Sequence, residues 1–231
     1  MTRLHRVLIR FWLNSQAYVA LLLGAKSVAT RLFERMVELD PSDPVALASL
    51  GNLRMEAGDS LGAVSAFVDL VEHHPSHADG WFNLGFIYEQ REDLPAAERC
   101  FREALRFDAK LDRAWYGLAL VLIRTDRLIE AIDALKTNIK LQPMSPFGFY
   151  QLGMTYHHVG RAADAQKVID DLRKFEPKYA AGLARDISQT PPRYGQVEGE
   201  HPGPRGAAAN GVTTPEEQHV PGTHSLKEVA G

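Results

Sequence analysis

An alanine recurs every 34 residues, at Ala29, Ala63, Ala97, Ala131 and Ala165, and no other feature restricts the possible folds of this chain as strongly. A fixed period of that length marks stacked supersecondary units, each too small to bury its apolar face alone. Other columns keep step with the alanine. A small residue stands at Ala17, Gly51, Gly85, Ala119 and Gly153, and large apolar residues stand at Leu13, Leu47, Trp81, Trp115 and Phe149 and at Phe33, Phe67, Phe101, Leu135 and Ile169. Small against large, in register, is the pattern of two helices that approach closely and interdigitate. Pro41, Pro75, Pro143 and Pro177 end each second helix because proline brings no amide to the helical ladder, and Ala109 takes that slot in the central unit.

Within residues 78–111, Trp81, Leu84, Gly85 and Tyr88 fall on one helix and Ala97, Phe101 and Ala104 on a second. This arrangement resembles the tetratricopeptide repeat. The match runs over residues 10–179 as five units, 10–43, 44–77, 78–111, 112–145 and 146–179, the first being degenerate, with Gln16 where Leu50, Leu84, Leu118 and Leu152 stand in the others. The resemblance implies an all-α, right-handed superhelical solenoid of antiparallel helix pairs. Residues 1–9 read as a basic amphipathic extension and 180–190 as a capping helix. Residues 191–231 are rich in proline, glycine and small polar residues and are expected to be disordered, with Thr213 to Glu217 resembling a helix start.

A chain of 231 residues with 45% apolar and 24% charged residues can bury a core in layers, and a net charge of −3 gives no sign of nucleic acid as a partner. No phosphate-cradling glycine loop, nucleophile elbow or paired metal-ligand cysteines occur, so the reading is a non-enzymatic protein with no cofactor and no metal. His73, His74 and His77 cluster at one hairpin end and His157 and His158 at another. Neither group brings a cysteine, and both read as turn and groove residues. The single cysteine, Cys100, reads as a small packing residue.

The resemblance places partner binding on the concave face lined by the first helix of each unit. Carried onto this sequence, that face includes Asn52, Phe82, Asn83, Phe86, Arg113, Tyr116, Arg124, Phe147, Tyr150 and Met154. Aromatic and methionine side chains with amides between them suit an extended or helical peptide. A carboxylate clamp of the kind that grips acidic C-terminal peptides is matched by Asn52, Asn83 and Arg113. Ala48 and Gly117 lack the polar groups it needs.

Arg3, Arg6 and Arg10 recur at helical spacing, with Leu4, Val7, Leu8, Phe11 and Trp12 between them. In one reading this helix extends the first hairpin and its apolar residues pack on the next repeat. In the other it docks on an anionic membrane surface or a partner. Basic residues ahead of AYVALLLGA also suggest a signal peptide, but the repeat register is already running there, and no apolar stretch approaches the ~20 residues of a membrane span. The expectation is a cytoplasmic scaffold or adaptor for a protein partner. The alternative is an assembly factor peripheral to a membrane, and homo-oligomerisation stays open.

Overall fold

The computed structural model describes residues 3–194, the side chains of Arg3, Leu4 and Arg6 excepted, so most of the tail and its helix start at 213–217 lie outside the described residues. Five hairpins follow one another: α1 (Arg3–Leu22) with α2 (Lys26–Leu39), α3 (Pro44–Glu56) with α4 (Ser60–His73), α5 (Ala78–Gln90) with α6 (Leu94–Phe107), α7 (Asp112–Arg124) with α8 (Leu128–Leu141), and α9 (Pro146–His158) with α10 (Ala162–Arg173). A last helix, α11 (Pro177–Gln189), packs on α9 and α10. The described residues contain helices and no strands, and each hairpin stacks on the next as a solenoid.

The turn inside every hairpin is built the same way. Gly24, Gly58, Glu92, Asp126 and Gly160, spaced 34 apart, all adopt φ between 60° and 79°. The next amide then reaches back to a carbonyl in the last turn of the first helix, as in Asp93 to Tyr88 at 2.9 Å and Arg127 to Leu122 at 2.8 Å. This is the left-handed helix stop that glycine adopts at no steric cost. Glu92 adopts it with a side chain. Glu92→Gly is therefore expected to raise stability by about 0.5–1 kcal/mol in urea unfolding, because the exposed pair it forms with Arg124 offsets little. A loss of stability would contradict this account of the turn.

Burial follows the columns. The recurring alanines and Phe33, Phe67, Phe101 and Leu135 are buried. A Cβ on Gly51 or Gly85 would stand 2.7 Å or 2.8 Å from the ring of Phe67 or Phe101, which is why that column stays small there. The Leu13 column divides. Leu13 and Leu47 are buried, whereas Trp81 and Trp115 are half-buried and donate from Nε1 to the carbonyls of Pro75 at 2.7 Å and Ala109 at 2.9 Å, holding the loop between hairpins. The indole thus replaces a pure core filler with one that also satisfies a loop carbonyl.

At the N-terminal end, Leu13, Ala17 and Ala20 of α1 face the stack and are buried. Val7, Leu8, Phe11 and Trp12 do not follow them. They are exposed, so the expectation that the apolar residues of this helix pack on the next repeat fails for these four. Arg10 turns inward: its guanidinium lies 2.9 Å from Asp40 and 2.8 Å from Asp43, the residue that caps α3 by accepting from the amides of Val45 and Ala46. A hydrogen bond from Ser42, with the charge of Arg10 nearby, holds the Asp40 carboxyl below its ordinary value.

Candidate functional site

First helices lie side by side on one face of the stack, α5 against α7 and α9 against α11. Between α5, α7 and the start of α9 they leave a cavity of about 500 Å³. Five of the residues singled out from the sequence line it: Phe82 and Phe86 from α5, Arg113 and Tyr116 from α7, and Phe147 from α9. Phe101 and Gly117 form part of its wall, and Gln90, Asn138, Gln142 and Ser145 supply neutral polar groups. An aromatic pocket with a few amides and hydroxyls holds an apolar side chain and hydrogen-bonds the backbone that carries it.

Of the charged residues that line the pocket, Arg113 and Glu89 are paired, and the Asp112 carboxylate lines it as well. The Arg113 guanidinium sits 4.6 Å over the Phe82 ring, with Nη2 2.9 Å from Asp79. Glu89 pairs with Arg124 at 2.8 Å, and Arg124 also reaches Glu92, which places it at the end of the α5 and α7 helices and outside the lining. Burial raises the Tyr116 phenol above its ordinary value. Gly117 has a packing reason to lack a side chain: a Cβ there would lie 2.6 Å from Phe101 Cζ. A clamp side chain at that position is excluded by the core, so a terminal carboxylate meets only one cation in this pocket, and that cation is paired.

The remaining candidates are placed elsewhere. Asn83 donates to Asn52 at 3.2 Å, joining α5 to α3 outside the pocket lining. Tyr150 donates its hydroxyl to Asp186 of α11, which pushes its pKa up to about 12. Met154 packs against the hydrophobic core. Of the basic residues in α1, Arg10 is committed to Asp40 and Asp43, and the side chains of Arg3 and Arg6 are outside the description.

Three residues that line the pocket escaped the sequence reading because they come from the last turn of α8 and the link between α8 and α9, which consensus groove positions ignore. They are Asn138, Gln142 and Ser145. Asn138 carried a signal, since an amide stands in a column that is otherwise apolar, with Met36, Leu70, Ala104 and Leu172. It is buried and donates to the Asp112 carbonyl at 2.9 Å.

The histidines diverge. His73 meets the Asp69 carbonyl, His74 the Ser42 carbonyl 2.6 Å away, and His77 accepts from the Gly80 amide as the cap of α5. His157 meets the Thr190 carbonyl at 2.6 Å, and the Tyr194 amide donates to the His158 carbonyl at 3.0 Å, so residues 190–194 return across the end of α9. Burial lowers the pKa of His158. Among the described residues no three His, Cys, Asp or Glu side chains converge as a metal site, and no helix is long and apolar enough to cross a membrane. Burial pushes the Cys100 thiol up to about 12, which leaves it protonated near neutrality and fit for packing.

Residues 6–182 match the family model described as the cilia and flagella-associated protein 70 C-terminal domain. Among curated relatives, Drosophila melanogaster protein O-mannosyl-transferase Tmtc3 is 30% identical over 152 residues, 63% of this chain and 16% of the relative. Schizosaccharomyces pombe anaphase-promoting complex subunit cut9 is 28% identical over 150 residues, 62% of this chain and 22% of the relative. The chain therefore spans under a quarter of the length of either. Among solved structures, MamA superposes with a TM-score of 0.67 at 21% identity, over 75% of this chain and 94% of that one. YrrB, described as a tetratricopeptide protein with an unusual peptide-binding site, gives 0.65 at 19% identity, over 75% and 89%. At these identities the two structures establish the fold alone.

Proposed function

Because this chain belongs to the cilia and flagella-associated protein 70 C-terminal domain family and folds as a tetratricopeptide array, we propose that it is a non-enzymatic scaffold that captures a protein partner. The bound element is a short extended or helical segment, held in the pocket between α5, α7 and α9. One observation carries this reading: Phe86 and Phe147 line this pocket and are 41% and 56% exposed, where the packing of the stack does not require aromatic rings. Exposed aromatics lining one pocket are what a partner's apolar anchor needs.

The charge pattern narrows the partner. Arg113 is paired with Asp79 and Glu89 with Arg124, so a charged peptide gains little net attraction from either group. The favoured ligand is a segment with one or two aromatic or aliphatic anchors and few charges, its backbone meeting Gln142 and Gln90. What the relatives do as whole proteins is not carried over, since this chain spans so little of them.

The test is selection of peptides from a random displayed library on the full chain, followed by affinity measurement of the winners. The proposal expects anchors of the stated kind and loss of binding when the exposed pocket aromatics are removed. Winners that bind the Phe86→Ala/Phe147→Ala protein as tightly as the wild type would overturn it.

A further inference from the structure

The two ends of the stack differ. At the C-terminal end α11 covers α9 and α10, while at the N-terminal end the outward face of α1 is bare. That face is apolar and broad: Phe11 is 73%, Trp12 59% and Leu22 86% exposed.

Comparison along the repeat shows which side this is. Trp12 shares a column with Ala46, Gly80, Ala114 and Gly148, all buried. They are small because the second helix of the preceding hairpin presses there: a Cβ on Gly80 would lie 3.0 Å from Leu70 and Val71 of α4. Val19 likewise shares a column with Leu53, Ile87, Val121 and Thr155, which are at most 8% exposed, whereas Val19 is 51% exposed. The bare face of α1 is thus the side on which another helix packs everywhere else in the array. Trp12 fills the space that a second helix would need, so no further hairpin can stack on α1 in the register used by the others.

The pattern on this face is symmetric about Ser15. Trp12 and Tyr18 lie three residues to either side of it, Phe11 and Val19 four, and Leu8 and Leu22 seven. All six are at least half exposed. An antiparallel helix pair with its two-fold axis at Ser15 brings the members of each pair together across the interface, and the small serine lets the backbones cross closely. No charged residue occurs between Phe11 and Ala25, which is the composition of an interface centre. The exposed apolar residues amount to roughly 1,000 Å² per copy, against about 800 Å² per partner in a stable interface.

We propose that the occupant of this face is a second copy of the chain, and that the protein is an isologous dimer closed through α1. A lipid bilayer fits less well. The described basic residue of the helix, Arg10, is turned inward onto Asp40 and Asp43, and the chain carries a net charge of −3. The dimer leaves the concave pocket of both copies open, so it stands or falls independently of the peptide-binding reading.

Light scattering of the full chain on a sizing column is expected to give twice the 25.7 kDa chain mass. Phe11→Glu combined with Val19→Glu should weaken self-association at least about 100-fold with an unchanged helical signal, since four unpaired carboxylates would be buried in two facing pairs across the axis. In a Cys100→Ala background, Ser15→Cys should cross-link between copies on mild oxidation, because the two positions meet at the axis. The equally accessible Leu61→Cys of α4 should not. A monomer at every concentration, a dimer indifferent to the double substitution, or a monomer that sediments with phosphatidylserine-containing vesicles would each overturn the proposal.

Discussion

Phe101→Ala should cost about 3–5 kcal/mol, the largest loss of any single truncation in the array. Phe101 is 1% exposed and is wedged between two glycines: its ring would meet a Cβ on Gly85 at 2.8 Å and one on Gly117 at 2.6 Å. It also packs against the Phe82 ring at 5.9 Å. Neither glycine has a side chain that could move into the vacated space, so the cavity would persist and α5, α6 and α7 would lose a shared contact. In a stack where each hairpin touches only its neighbours, damage at the centre uncouples the two ends. Urea unfolding followed by circular dichroism and by tryptophan fluorescence, coincident in the wild type, should therefore separate. The chain itself suggests a partial remedy, because one repeat later Ala119 and Leu135 occupy the same two columns and both are fully buried. Gly85→Ala/Phe101→Leu should recover roughly half of the lost stability, the space beside Gly117 remaining unfilled.

The second large effect is on binding. Phe86→Ala/Phe147→Ala should weaken selected peptides about 100-fold, as removal of two aromatic anchors at an interface centre does. Stability should change little, within about 0.5 kcal/mol per site, because both rings are substantially exposed and Phe147 gives up only an edge contact with Tyr179. Substitution of Phe82 would confuse the two effects, since its ring also supports Phe101 and Arg113. If binding fell only in proportion to stability, the pocket would be ordinary packing.

The hairpins were legible in the sequence because their determinants are local and repeat: the 34-residue alanine column marks each helix crossing, and a glycine stop at Gly24, Gly58 and Gly160 marks three of the five turns. The pocket was legible in part. Phe82, Phe86, Arg113, Tyr116 and Phe147 converge because equivalent positions on successive first helices share one face. Tyr150 was lost to the pocket for a reason outside the repeat. The helix after the last unit begins at Pro177, three residues ahead of the period, and its Asp186 reaches Tyr150. Asn83 pairs with Asn52, and Arg124 with Glu89 and Glu92, through contacts between neighbouring units that single columns do not encode. The bare face of α1 was visible only as an apolar run with arginines. That Arg10 turns inward and Phe11 and Trp12 outward depends on Asp40 and Asp43, contributed some 30 residues later by the loop after α2.

The central claim is that partners are held between the first helices, and hydrogen–deuterium exchange of the full chain with and without a saturating selected peptide tests it most directly. The account predicts added protection in α5, in α7 and at the start of α9. Protection confined to the outer helices α6 and α8, or to α1, would contradict it.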